Sequence, residues 1–246
     1  MKLHYQILSA ILLLSILSSC NDDQRDLRDY YFPLRELTDG LVYEFRDLNF
    51  DSLSADYWYY RTIPTDSAFY FTKAYYQSDF EQKQLYREVM VNNGILLKDL
   101  FLFENDSNGQ QLQTQAEILS PNVFPFKVTG SEDYYIYQVR FQLSSQPHGS
   151  TSVLINRRFL GDTTYQFKGQ TYDAIQFDIL GSVDQRDSIR GDIEPQFSGR
   201  EIYAEGLGLV YYERSYGPEA PSFQHQLVDR YPMQELTEQA RHSWEE

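Results

Sequence analysis

The chain has 246 residues with 36 acidic against 21 basic side chains, a formal net charge of −15, and a single cysteine. That balance excludes nucleic acid as a partner, because affinity for it comes from cations that neutralise phosphate, and it excludes a polybasic grip on anionic lipid. One cysteine leaves no disulfide framework and no Cys-based metal site, so the fold must rest on its core, for which 16% aromatic residues, 21 of them Tyr, supply the material.

The chain opens as a targeting segment. Lys2 gives a short positive region and Ile7 to Leu17 an apolar run, followed by Ser18, Ser19 and Cys20. The run is shorter than the roughly 20 residues a permanent span needs, so residues 1–19 read as a signal peptide. Leu17-Ser18-Ser19-Cys20 resembles the lipobox of bacterial lipoproteins. The resemblance implies cleavage between Ser19 and Cys20, a diacylglycerol thioether on the Cys20 sulfur and an acyl chain on its new amino group. Several chains on one residue make a firm anchor, since each buried CH₂ is worth about 0.8 kcal/mol. The expected partner of Cys20 is therefore a membrane, and the expected place is the bacterial cell envelope, on its outer membrane. Residues 20–31, "CNDDQRDLRDYY", are charged and aperiodic, and read as an acidic tether.

From residue 32 to 232 the dominant period is two. Leu41, Tyr43 and Phe45 share a face, as do Tyr135, Tyr137, Val139, Phe141 and Leu143, and again Ile175, Phe177 and Ile179. Asn93-Gly94 and Asn108-Gly109 predict hairpin turns, of type I′ where both central residues take positive φ; residues 84–119 then form a three-stranded meander. Further turns are expected at Gly130, Pro147–Gly149, Gly161, Gly169 and between Gly181 and Gly191. Residues 233–246 predict the one helix, with Met233, Leu236, Ala240 and Trp244 on a stripe. The fold class is mainly β, an antiparallel β-sandwich or a partly open β-barrel with a short C-terminal helix.

Two stretches bracket this domain, "YYFPLRELTDGLVYEF" and "GREIYAEGLGLVYYER". Together they resemble a pattern in uncharacterised envelope lipoproteins of the Bacteroidota, which implies a lipid-anchored envelope protein and no particular activity. In the second stretch Ile202, Ala204, Gly206, Gly208, Val210 and Tyr212 fall on one face of a strand, where two glycines mark a bulge, a bend or a close approach of another group. A phosphate loop is a poor reading, since no third glycine or helix follows. Some Bacteroidota O-glycosylate exported proteins at Asp-Ser/Thr before a small or apolar residue, which singles out Ser52, Ser67, Thr163 and Ser188; ordinary turn composition gives the same pattern.

No motif carries chemistry. His148, His225 and His242 have no metal spacing, no Gly-x-Ser-x-Gly elbow occurs, and "NDSNG" at 105–109 lacks the calcium loop's closing glutamate. Arg190-Gly191-Asp192 matches an integrin tripeptide and reads as coincidence in a polar turn. No cofactor is expected. The aromatic stretches "DYWYYRTI" and "FYFTKAYY" are covered core or else a ligand surface built from Tyr57, Trp58, Tyr59, Tyr60 and Tyr70. The function expected is a non-enzymatic binding or accessory module, with envelope proteins, a glycan or a lipid as partner. One alternative is a carrier or sensor of a lipid-like ligand in a half-open barrel. Another is an envelope hydrolase, which would need His225 or His148 beside a serine and a carboxylate.

Overall fold

The computed structural model describes residues 24–50, 55–65, 69–129 and 134–245. The signal peptide, Ser19, Cys20, Ser52, Ser67 and the turn expected at Gly130 lie outside these residues. In chain order the strands are β1 (Arg25–Asp26), β2 (Leu41–Asp47), β3 (Asp56–Pro64), β4 (Phe69–Tyr76), β5 (Gln82–Val91), β6 (Gly94–Asn105), β7 (Gln111–Gln115), β8 (Glu117–Pro125), β9 (Lys127–Val128) and β10 (Tyr134–Phe141). They continue with β11 (Gly149–Phe167), β12 (Gln170–Asp187), β13 (Gln196–Ala204), β14 (Gly208–Ser215) and β15 (Ser222–Tyr231), before helix α1 (Met233–Glu245).

Twelve of these strands form one antiparallel ring, in the order β2-β3-β4-β5-β6-β8-β10-β11-β12-β13-β14-β15 and back to β2. The barrel expectation holds, in closed form. The sandwich is overturned: a single sheet pairs with itself, so no second sheet is needed to bury its inner face, and closure removes the free edges. Two pairings complete the ring. Along β2 and β15, Val42 to Asp47 meet His225 to Tyr231. The β6–β8 seam is narrow, with Gly94 opposite Pro125, Ile95 opposite Phe124 and Leu96 opposite Asn122.

The alternation read from the sequence places the core. Tyr43, Phe45, Val139, Ile175, Phe177 and Ile179 are buried inside the barrel. On the outer face, pairs such as Arg158–Asp178 at 3.1 Å and Arg140–Glu117 at 3.6 Å bridge neighbouring strands. Helix α1 is where expected and covers part of that outer wall: Leu236 packs with Val42, Tyr231, Tyr57, Tyr59 and Met233.

The turns depart from expectation in informative ways. The meander of β5, β6 and β7 is present, but Asn92 and Asn93 make the first turn without positive φ. Gly94 is needed for closeness instead, since a Cβ there would lie 2.5 Å from the Phe124 carbonyl oxygen across the seam. Positive φ at both turn residues occurs at Lys168 (48°) and Gly169 (80°), joining β11 to β12. Gly161 and Gly181 lie within strands rather than turns, Gly161 at a bulge in β11 and Gly181 against the Phe197 ring.

The segment expected to be a free tether through residue 31 is folded from Arg25 onward. β1 pairs with β9, the Leu27 amide donates to the Phe126 carbonyl at 2.8 Å, and Leu27, Tyr31, Phe32 and Leu37 are buried. Its charges are held locally: Arg25 pairs with Asp162, and Arg28 lies over the Phe126 ring at 5.3 Å. Residues 24–40 thus form a strap that carries Tyr31 and Phe32 into the barrel.

Candidate functional site

The strap explains why two remote stretches share a pattern. "IYAEGLGLVYYE" is a hairpin and not one strand: Glu205 to Leu207 turn between β13 and β14, and Ala204 pairs with Gly208. Gly206 and Gly208 take φ of 71° and 85°. The close approach expected at these glycines is met at Gly208, where a Cβ would lie 2.5 Å from the Phe32 ring. The Gly206 amide donates to the Asp29 carbonyl at 3.1 Å, and the Tyr43 hydroxyl to the Leu207 carbonyl at 3.0 Å. The opening and closing motifs are therefore two halves of one contact.

Above Tyr31 and Phe32 the lumen holds a cavity of about 310 Å³. Eight strands line it, each with its inward residues: Asp56, Trp58 and Tyr60 on β3; Lys73 and Tyr75 on β4; Gln84, Tyr86 and Glu88 on β5; Val123 on β8; Tyr137 on β10; Ile155 and Arg157 on β11; Glu201 and Tyr203 on β13; Leu209, Tyr212 and Arg214 on β14. The wall is aromatic, with six charged side chains among its rings: Asp56, Lys73, Glu88, Arg157, Glu201 and Arg214.

One group of charges in the wall is a triad. Glu201 is 2% exposed and Arg157 8%. Arg157 donates through Nε to Glu201 Oε2 at 2.8 Å and through Nη2 to Oε1 at 3.3 Å, while Arg214 Nη2 reaches Oε1 at 2.6 Å and the Tyr203 hydroxyl donates to Oε2 at 3.1 Å. Burial pushes the Glu201 carboxyl up, but the two guanidinium groups outweigh it and hold it at about 2. Burial acts against the charge on Arg157, and Glu201 more than compensates, leaving it raised. One anion between two cations leaves a net positive charge.

Two smaller groups complete the wall. Glu88 is fully buried, ion-paired with Lys73 and hydrogen-bonded by the Tyr31 hydroxyl. Asp56 accepts from the Tyr75 hydroxyl at 2.7 Å and the Tyr212 hydroxyl at 3.0 Å. His225 Nε2 lies 3.3 Å from Asp56 and its ring stacks flat on Tyr212, at 4.7 Å between centroids. Among the described residues, no serine lines the cavity. His148 is elsewhere, in a surface turn beside Arg186 and Asp187.

The aromatic stretches serve two faces. Trp58 and Tyr60 line the lumen, with rings 6.2 Å apart and stacked. Tyr57 and Tyr59 lie on the outer wall beside α1, and Tyr70 lies outside as well, with Arg87 over its ring at 5.5 Å. Thr163 is half-buried in β11, and Ser188 is exposed in the turn after β12. In the Arg190-Gly191-Asp192 turn, the Asp192 carboxylate is taken up by Arg186 at 3.0 Å and the Asp187 amide at 3.2 Å. Sequence reasoning missed Lys73, Glu88, Arg157, Glu201 and Arg214. The signal available was a charged residue at an otherwise aromatic position, as in Lys73 among "FYFTKAYY".

Two solved structures share this fold. One is described as a "putative lipoprotein" of Parabacteroides distasonis, at 13% identity and a TM-score of 0.53; the other as a "putative exported protein with YmcC-like fold" of Bacteroides fragilis, at 10% and 0.52. Each likeness covers 82% of this chain and 98% of the other. No known family matches the sequence, and no curated protein is similar to it.

Proposed function

We propose that this protein is a non-enzymatic binding module of the bacterial envelope, anchored by acyl chains on Cys20 to the outer membrane, and that it takes a small ligand into the barrel lumen. The observation that carries the reading is the cavity itself. About 310 Å³ lies at the lower end of ligand-site volumes, and its aromatic walls with a few convergent polar groups have the make-up of such sites. The lipid-carrier alternative fits less well: six charged side chains at the wall would have to lose their remaining hydration against an acyl chain, with no compensating contact.

Support for the envelope comes from the ordered Lys2, apolar run and Leu17-Ser18-Ser19-Cys20, and from the descriptions of the two structural neighbours as lipoprotein and exported protein. The folded strap begins at Arg25, so four residues link it to Cys20 and an extended span could be no longer than about 18 Å. The anchor is tested by Cys20→Ala, which abolishes metabolic labelling with a fatty-acid analogue; unchanged labelling refutes it. Occupancy of the lumen is tested by native mass spectrometry of the protein taken from envelope membranes. A non-covalent small molecule retained by the native chain and lost on unfolding is expected, and a uniformly ligand-free mass counts against the reading.

A further inference from the structure

The hydrogen-bonding inventory of the lumen wall is lopsided. Both oxygens of Glu201 take two hydrogen bonds each, those of Asp56 one each from Tyr75 and Tyr212, and Glu88 Oε2 one from Tyr31, while Glu88 Oε1 has its ion pair with Lys73 and no hydrogen bond. The cations are not used up in the same way. An ammonium carries three donors and a guanidinium five. Arg157 spends two of its nitrogens on Glu201, and its Nη1 is buried without a partner. Lys73 and Arg214 remain 17% and 21% exposed beside the cavity. What the wall lacks is acceptors.

Building on the lumen reading above, we infer that the ligand is a small organic anion, with a carboxylate or phosphate at the Arg157, Arg214 and Lys73 side of the cavity and a ring against Trp58. An unpaired buried donor costs the full desolvation of that group, and an anionic acceptor is the partner that relieves it. The Arg157–Glu201–Arg214 triad sets two cations against one carboxylate on this side of the wall, while the wall as a whole holds three cations (Lys73, Arg157, Arg214) and three carboxylates (Asp56, Glu88, Glu201). A cation would find the carboxylates engaged. The cavity holds the equivalent of about ten waters, which limits the ring to monosaccharide size, and the half-buried Trp58 lines it.

Trp58 reports on the site. The chain has two tryptophans, so a Trp244→Phe background leaves Trp58 as the sole emitter. Titration with D-glucuronate, D-glucose 6-phosphate, D-glucose and D-glucosamine varies charge on one ring. The expected result is saturable change with both anions, at least tenfold tighter than glucose, and glucosamine weakest. Equal or tighter binding of glucose or glucosamine overturns the anion assignment while leaving the lumen a ligand site. No response to any of the four overturns the assignment too, and native mass spectrometry then decides the lumen reading separately. Glucuronate and the phosphate ester distinguish a carboxylate from a phosphate pocket. Arg157→Met with Glu201→Leu and Arg214→Met removes the triad as a unit, so neither arginine is left without its carboxylate. The triple variant is expected to lose the tenfold preference for anions over glucose. A retained preference overturns the role given to Arg157 and Arg214, and the ligand series on the parent chain stands as the test should the triple variant not fold.

Discussion

The contact between strap and hairpin is open to a quantitative test at Gly208. Substituting Ala there does two things. It forces a residue with a side chain to hold φ at 85°, which costs about 1–2 kcal/mol, and it drives a Cβ to within 2.5 Å of the Phe32 ring, an overpacking worth about 1–3 kcal/mol. The expected loss is therefore about 2–5 kcal/mol. Gly206 supplies the control, because its φ of 71° is comparable but nothing lies within 4 Å of its hypothetical Cβ. Gly206→Ala should cost only the backbone share, about 1–2 kcal/mol. Urea unfolding of the chain from residue 21, followed by circular dichroism, measures both. A double-mutant cycle then isolates the steric share: with Phe32→Ala in place, Gly208→Ala should fall to the cost of Gly206→Ala, a coupling of about 1–3 kcal/mol. Equal costs for the two glycines, or an undiminished cost at Gly208 once Phe32 is removed, would refute the strap packing.

Acid stability should carry the signature of Glu201. Its folded-state pKa of about 2 lies below the 4.5 of a free carboxyl, so its contribution is complete above pH 4.5 and is lost as pH falls towards 2. The shift corresponds to about 3 kcal/mol; unfolding free energy measured from pH 5 to pH 2 should fall accordingly, and Glu201→Gln should flatten the slope. A Glu201→Gln profile parallel to the parent would show that other carboxyls dominate. Gly94→Ala should open the β6–β8 seam by pressing on the Phe124 carbonyl, at a cost of about 1–3 kcal/mol. Hydrogen exchange at the amides of Gly94 to Leu96 reads this out, and unchanged protection there would contradict the seam.

Much of the wall was legible residue by residue, because period-two alternation does not depend on how a sheet curves. Tyr137 and Val139, or Ile175, Phe177 and Ile179, face inward in a sandwich and in a barrel alike. Closure was not legible, since it is a pairing of β2 with β15 and no local pattern encodes it. The Glu205–Leu207 hairpin hid for a geometric reason: a three-residue turn that pairs Ala204 with Gly208 keeps the alternation in phase as far as Tyr203 and Leu209, and only the bulge beyond them brings Tyr212 to the lumen beside Leu209. The site hid for a chemical one. In a strand whose inner face must be apolar, Glu88 or Arg157 would signal the outside. A lumen that contains buried ion pairs breaks that rule, and its six charged residues come from β3, β4, β5, β11, β13 and β14. Leu27 gave no signal either, as one apolar residue among charges, buried by the tertiary path of the strap.

Closing the ring through β2 and β15 also sets the order of events when the chain folds. Tyr43 and Arg230, which touch across that junction, are 187 residues apart in sequence. Bringing such distant points together costs about 4–5 kcal/mol of chain entropy before any contact is made, and non-local strand pairing of this kind folds slowly. The strap cannot settle early, since the surface that receives Phe32 includes Gly208 near the far end of the sequence. A chain still emerging across a membrane would present an open sheet with two unpaired edges until residue 231 had arrived. The barrel is thus a structure that its last strand completes, and truncation within β15 should leave an aggregation-prone sheet rather than a slightly smaller barrel.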